Sequence, residues 1–301
     1  MHSAPQTPEA SPVALAVIGG SGLYEMAGFL NTQSVEVATP FGNPSSPVIL
    51  GELDGVQIAF LARHGLGHHI SPSEVNYRAN IYALKSLGAR RIISISACGS
   101  LREDYKPGDI VVPDNLFDFT RGRQRTFFGE GLVAHISVAD PFCANLSGQL
   151  VQALQNTGVK PHRTGAMITI EGPRFSTKAE SNVYRSWGMS LIGMTTSPEA
   201  FLAREAEMCY AVMAHVTDYD VWHIDEEPVT VEKVIEILHQ NTHIAQMAIR
   251  NLVHLVTEER TCPCESALAN ALITQSDRIP AATRQRLDLL IHKYLPLPEN
   301  P

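Results

Sequence analysis

No apolar stretch in this chain approaches the roughly 20 residues that a membrane-spanning helix needs, so a membrane partner is not expected. Positive charge is also in short supply. With 23 Lys and Arg against 31 Asp and Glu, the formal net charge is −8, which argues against a nucleic-acid surface. A local basic pocket for a small anion stays open. Cysteine is scarce: five residues, an odd number scattered through 301, suit a reducing cytoplasm better than a disulfide scaffold. Cys262-Pro263-Cys264 departs from that scatter. Two thiols one residue apart could close a strained redox disulfide or supply half a metal site, but no His/Cys partner pair at zinc spacing accompanies them. A solvent-side turn, and no metal, is the expectation. Residues Met1–Pro12 lack the basic start and apolar middle of a signal peptide and read as a disordered tail.

What is present is an ordinary globular composition, 44% hydrophobic, with no internal repeat and no long linker. Val13–Ile18 is a short apolar run ending in Gly19-Gly20-Ser21-Gly22, as suits a buried strand followed by a turn whose N–H groups can meet an anion. The full dinucleotide fingerprint is missing, and no acidic residue stands some twenty positions on. Asp54-Gly55 between Val48–Leu53 and Val56–Leu61 predicts a hairpin. Its second strand runs into Arg63-His64-Gly65-Leu66-Gly67-His68-His69, a basic, glycine-rich strand end fit for an anion. Three histidines there invite a metal reading, but no Cys or carboxylate stands at ligand spacing.

A helix is expected from Pro72 to Leu87, stopped by Gly88. Strands follow at Arg91–Ser100, Pro107–Pro113, Met167–Ile170, Leu191–Met194 and Met208–Val216. Helices fall between and after them, at Asn145–Asn156, Lys178–Trp187, Pro198–Glu207 and Thr230–Leu255, with a helix-like tail over Thr283–Tyr294. This alternation predicts an α/β fold, a mixed, largely parallel central sheet flanked by helices, in a single domain over 13–301. Pockets in such sheets lie beyond the carboxyl ends of the strands. Ser21, Arg63, His64, Ser96, Ala97 and Thr195 all stand just after or at the end of strands, and so do two acids, Asp218 and Asp220.

If the chain stays extended there, side chains two apart face the same way, so the two carboxyls share one small volume. Like charges that close resist joint ionisation, so one carboxyl keeps its proton and can donate beside a carboxylate that accepts. A 6-aminopurine offers the complementary ring nitrogen and amine. The competing reading of this window is a solvated strand end carrying two ordinary acids.

Eight ordered motifs together resemble the trimeric purine nucleoside phosphorylase family. They are Ile18–Leu23, Thr39-Pro40-Phe41-Gly42, Ala62–Gly65, Asn76-Tyr77 with Asn80, Ala97–Ser100, Glu171–Phe175, Met194–Thr196 with Pro198-Glu199, and Thr217–Asp220. Within the family the chain is most similar to the branch that acts on 5′-methylthioadenosine. The resemblance runs from about Val13 to the Thr230 helix and fades beyond about residue 256 into a divergent helical segment. It implies phosphate-dependent cleavage of an N-glycosidic bond, giving adenine and 5-methylthioribose 1-phosphate, with phosphate as co-substrate, no metal and no organic cofactor. It implies phosphate held by Ser21, Arg63, His64, Ser96, the Ala97 backbone and Thr195. Met194 would lie along the ribose, Phe175 on the base, His68 near the 5′ end, and Asp218, Tyr219 and Asp220 around the purine. A homotrimer, or a dimer of trimers, in the cytoplasm is implied as well.

Base choice follows from two positions. Members acting on 6-oxopurines carry Asn where Asp218 stands and Glu at the position of Ser176, so the resemblance implies a preference for adenine nucleosides. Val231 and Val234 would line an apolar 5′ pocket that favours a methylthio group over a hydroxyl, but by only about 1–3 kcal/mol, so adenosine stays open as a substrate. A phosphorylase of 6-oxopurine nucleosides is the alternative within the family; a hydrolase using water would not need the anion-binding set, and a nucleotide-binding regulatory module would leave the acid pair and the other strand ends idle.

Overall fold

The computed structural model describes residues 13–20, 22–23, 25–223, 231–256 and 259–296, and over 231–240 only the side chains of 232, 235 and 237. The chain opens with β1 (Leu15–Gly19), five buried residues in succession. Then come β2 (Phe29–Val35), β3 (Val48–Leu53) and β4 (Val56–Ala62). Asp54 and Gly55 both take positive φ, 51° and 80°, which is what a two-residue turn matched to strand twist requires, and β3 and β4 pair antiparallel across it.

The helix α1 covers Tyr77–Ser86 and begins five residues later than expected from Pro72. Its start is set by Asn76, whose side chain accepts from the Ala79 N–H and satisfies a donor that the helix leaves unpaired. The chain continues through β5 (Arg91–Ser100), β6 (Ile110–Val111), β7 (Asn115–Phe119), α2 (Ala144–Gln155), β8 (Ala166–Ile170), α3 (Lys178–Ser186) and β9 (Leu191–Gly193). It ends with α4 (Thr196–Glu205), β10 (Cys209–Asp218), α5 (Val231–Val253), short 3-10 turns at Pro263–Ser266 and Ser276–Arg278, and α6 (Ala281–Ile291). Pro198 does not open α4 cleanly. Ser197 is non-helical at φ −102°, ψ 136°, so the helix is kinked there.

The strands form one mixed sheet in the order β2-β3-β4-β1-β5-β9-β8-β7, with β10 pairing β5 and β6. β5 is the hub. Its first half runs parallel to β1, its whole length runs parallel to β10, and its last two residues pair antiparallel with β9. Because side chains alternate along a strand, β1, β5 and β10 send successive residues into two different layers. Ile18, Ile92 and Val212 pack with Leu84 of α1 and Leu202 of α4. Val17, Ile93 and Met213 pack with Leu150 of α2 and Ile249 of α5. Burial on both faces explains the near-continuous apolar runs of these strands, and truncating one such residue to Ala costs about 2–5 kcal/mol. α6 belongs to the first layer through Leu287, Leu290 and Ile291, so the divergent segment is part of the chain's own core.

Candidate active site

Beyond the carboxyl ends of β1, β4, β5 and β10 the structure gathers most of the expected anion-binding side chains. Ser96 stands in β5 two residues beyond its last pairing with β1, and Thr195 just ahead of α4. Their hydroxyls lie 3.3 Å apart, both buried. Thr195 does not cap α4 with its side chain, which leaves that oxygen available to a ligand. Ala97 follows Ser96, half-buried.

Arg63 is 2% exposed and already heavily engaged. Its Nε and Nη2 donate to Glu199 at 2.8 and 2.9 Å, Nη2 also reaches Ser94 Oγ at 2.7 Å, and Nη1 donates to the Ile95 carbonyl at 3.1 Å. A guanidinium has five N–H groups, so one on Nη1 remains for an anion. Burial works against the charge of Arg63, but the Glu199 carboxylate outweighs it and holds the guanidinium firmly protonated. Glu199 itself is fully buried and also accepts from the Tyr210 hydroxyl at 2.8 Å.

His64 lies next door, its Nδ1 2.8 Å from the Ile70 carbonyl. A carbonyl can only accept, so Nδ1 carries the proton and a neutral ring presents Nε2 as an acceptor. Burial, then the adjacent Arg63 charge, lowers its pKa to about 4, so the neutral form holds at neutral pH. His68 stacks on it with ring centroids 4.3 Å apart, and the His69 ring packs against Gly65.

The acid pair sits about 10 Å further along β5, three residues on from Ser96. Gly99 marks the place: a Cβ there would stand 2.9 Å from Asp218 Oδ1 and 3.3 Å from Asp220 Cβ, so only a glycine leaves the acids their positions. Two expectations are corrected here. The chain is not extended through both acids, because Asp220 takes φ 50° and the register of β10 breaks after Val216. A bend instead lays the Asp220 backbone against the Asp218 carboxyl: the Asp220 N–H donates to Asp218 Oδ1 at 2.7 Å and the Thr217 hydroxyl to Oδ2 at 2.6 Å. The pKa of Asp220 is raised, but burial is the principal cause and Glu180 is the neighbouring negative charge that adds to it. The hydroxyls of Ser181 and Ser176 pull it part of the way back without making a well-directed bond, and Asp220 Oδ2 and both hydroxyls are buried without a hydrogen-bond partner. Trp222 pins the bend by donating to the Ser100 carbonyl at 2.7 Å.

A cavity of about 280 Å³ has Ile170, Glu171, Gly172, Arg174, Glu180 and Tyr184 in its wall, and neither acid is part of that wall. Gly172 faces Met194, whose sulfur would stand 2.6 Å from a Cβ there. Met194 and Tyr219 border the same small apolar cluster as Ile170 and Trp222. Phe175 is 39% exposed at the turn before α3. Ser21 lies outside the described residues, as do the side chains of Val231 and Val234 on α5.

Sequence reasoning missed the residues that brace this pocket. Arg123 is buried and donates from Nη1 to the carbonyls of Met194 and Ser197 at 2.7 and 2.8 Å, and from Nη2 to that of Glu171 at 2.7 Å. It therefore ties the Met194–Ser197 segment, which carries Thr195, to the turn at Glu171. Glu171 accepts from the Arg121 N–H, the Ser73 hydroxyl and Arg123 Nε. Burial opposes its charge, but these donors together hold its pKa at about 2. A basic run at 121–125 was the only signal for Arg123, and nothing in it singles out one arginine. Asn76 and Asn80 proved to be struts: Asn76 Nδ2 donates to the Phe41 carbonyl at 2.7 Å, and Asn80 Oδ1 accepts from the Ser45 N–H at 2.8 Å.

Cys262 and Cys264 do not form a solvent-side turn. Cys264 is 2% exposed, and both join Cys143 and Cys209, all four sulfurs lying within 4.8 Å of one another.

A mixed α/β sheet with hydroxyls, a neutral imidazole and a buried acid pair at its strand ends is the frame of a nucleoside-cleaving phosphorylase. The chain belongs to the Phosphorylase superfamily, which it matches over residues 14–254. It is 56% identical over 282 residues to the S-methyl-5′-thioadenosine phosphorylase of Geobacter sulfurreducens, covering 93% of this chain and 99% of that one. Its fold matches a methylthioadenosine phosphorylase sourced from an antarctic soil metagenomic library with a TM-score of 0.89 at 48% identity, over 93% of this chain and 99% of the other. A variant of the adenosine/methylthioadenosine phosphorylase of Schistosoma mansoni, in complex with methylthioadenosine, matches with a TM-score of 0.76 at 38% identity over 82% of this chain and 93% of its own.

Proposed function

We propose that this chain cleaves the N-glycosidic bond of 5′-methylthioadenosine with inorganic phosphate, releasing adenine and 5-methylthioribose 1-phosphate. As the bond from C1′ to N9 breaks, its electron pair goes to the purine and the sugar becomes cation-like; a phosphate oxygen then bonds to C1′. Stabilising both ends of that charge separation is the catalytic task. The phosphate falls to Ser21, the remaining Arg63 N–H, His64, Ser96, the Ala97 backbone and Thr195. His64, neutral with Nε2 bare, accepts from a protonated phosphate oxygen. Asp218 and Asp220 face purine N7 and the exocyclic amine, and Asp220, whose burial favours the protonated form, supplies the proton that the purine gains. Met194 lies along the ribose, Phe175 and Tyr219 border the base, and His68 stands toward the 5′ end with Val231 and Val234. Nothing in this sequence of steps draws on a metal or an organic cofactor.

The observation that carries the reading is the buried Asp220 carboxyl, with one oxygen unpartnered and its pKa raised, folded against Asp218 around Gly99. Ser176 strengthens the choice of adenine, since its hydroxyl is the side chain that faces Asp220 where a longer acid would take up the space. An assay of 5′-methylthioadenosine, adenosine and inosine, each with and without phosphate, tests this. Adenine should form only with phosphate, from the first two substrates. Free methylthioribose without phosphate would indicate a hydrolase, and inosine cleaved as fast as methylthioadenosine would defeat the assignment of the acid pair.

A homotrimer is proposed as the working form. In its support, edge strand β7 and helix α3 present Phe117, Val183 and Trp187 to solvent, 41, 42 and 48% exposed, a patch larger than a lone surface residue needs. Light scattering of the purified chain reads the state directly. A cytoplasmic setting is proposed from the five cysteines, all free.

A further inference from the structure

The chemistry described so far makes no use of the four cysteines at the other end of β10. Cys209 is the first residue of that strand. Cys143 is the N-cap of α2, tied to β10 by its backbone N–H, which donates to the Tyr210 carbonyl at 2.8 Å. Cys262 and Cys264 flank Pro263 at the start of the C-terminal segment. Three remote parts of the chain thus deliver four sulfurs to one point, all within 4.8 Å of one another, and Cys209 and Cys262 approach to 3.3 Å. A tetrahedral metal with metal–sulfur bonds of about 2.3 Å sets its ligands about 3.8 Å apart, within the span of this cluster. Two disulfides would instead draw the sulfurs into pairs about 2 Å apart.

The surroundings suit a dianionic tetrathiolate. Arg204 donates from Nη1 to Cys264 Sγ at 3.4 Å, and Arg91 and Arg260 line the small cavity that touches Cys143, Cys209 and Cys262. Arg260 shares its charge with Glu265 at 3.0 Å, so the neutralisation is partial on that side. The Leu146 N–H points at Cys143 Sγ at 3.5 Å, the backbone-to-sulfur contact that accompanies a thiolate ligand. Three of the four cysteines are buried and only Cys262 is half-buried, so the site is closed, with no position left for a substrate.

We infer that Cys143, Cys209, Cys262 and Cys264 form a structural zinc site that fastens the C-terminal segment to the start of β10 and to the N-terminus of α2. Binding replaces four thiol protons with one Zn²⁺, the protons passing to solvent, and no redox step is involved. Asp218 lies nine residues further along the strand, roughly 30 Å away, so the metal holds the fold together and takes no part in the reaction.

The test is metal analysis of the full chain, purified without chelator under reducing conditions and again in air, with thiols counted after denaturation. About one zinc per chain is expected in both preparations, with five thiols once the metal is chelated. Cobalt reconstitution should give the intense charge-transfer and tetrahedral bands of a tetrathiolate. Cys262→Ser with Cys264→Ser should abolish zinc binding and lower Tm while kcat/KM for the nucleoside stays within about twofold. Less than about a tenth of a zinc per chain in the reduced protein overturns the proposal. So does a mass four units low in the air-purified protein, which reports two disulfides in place of the metal. Both readings come from the unmodified chain and hold even if the double variant fails to fold.

Discussion

The two ends of β10 are opposites. At its first residue, four sulfurs satisfy one another in a closed nest held by backbone and guanidinium contacts. Just past its other end, Asp220 Oδ2 and the hydroxyls of Ser176 and Ser181 are buried and make no well-formed hydrogen bond. An unmatched buried polar group costs about 1–3 kcal/mol. The difference separates what the chain needs to stay folded from what it keeps unfinished for a ligand. Ten buried residues in succession join the ends, so one strand links the proposed metal site to the proposed reaction site.

The sharpest way to break that contrast is Asp220→Asn. It removes the proposed proton donor while keeping shape, and kcat/KM for methylthioadenosine should fall by about 10²–10⁴-fold. Stability should respond the other way. A carboxyl whose folded pKa is raised favours the folded state at low pH and ceases to do so as pH rises through that value, so at neutral pH the amide does not lower Tm. A variant that lost Tm along with activity would place Asp220 among the fastenings. Glu199→Gln comes next in size. It strips the Arg63 guanidinium of its buried counter-charge and should cost about 3–5 kcal/mol, read by denaturant unfolding. Gly99→Ala follows, since its Cβ would meet both Asp218 Oδ1 and Ile192 Cγ2 at 2.9 Å. About 1–3 kcal/mol of overpacking is expected, together with a fall in activity larger than that of Cys98→Ser, its strand neighbour.

How far the sequence foretells this molecule depends on how local each cause is. The turn at Asp54-Gly55, the buried strands β1, β5 and β10, and α2 and α3 to within one residue at each end were readable, because turn chemistry and hydrophobic period act over a few positions. β2 was missed: Leu30–Ser34 are all exposed, so the strand offers no alternation, and it is held by pairing with β3 alone. β7 was missed for the same kind of reason, with no fully buried residue among its five. In the pocket, the gathering of Ser96 with Thr195 followed from the rule that strands end together. The Arg63–Glu199 pair did not, since 136 residues separate the partners and neither position announces the other. The cysteine nest escaped because a metal-spacing rule looks for paired ligands close in sequence, and Cys143 and Cys209 each arrive alone.

A pH dependence is shared by the pocket and its supporting strand. Burial holds the pKa of His64 and of His215 down to about 4 from the ordinary 6.5. The unfolded chain therefore binds more protons than the folded one across that interval, so stability rises with pH from about 4 to about 6.5 and is lost on acidification. His215, with both ring nitrogens buried and unpartnered, should carry more of this slope than the half-buried His64. Thermal melts of wild type and His215→Leu over that range separate the two contributions.

Arg63 meets its counter-charge, Glu199, inside the protein at 2.8 Å. An anion arriving at this strand end meets a cation that has already been cancelled, on a chain whose formal charge is −8. Under the proposed function, long-range attraction contributes little, and the holding falls to oriented N–H and hydroxyl dipoles, which act only at contact. Phosphate affinity should therefore be nearly indifferent to ionic strength, and added salt should cost the enzyme little of its grip.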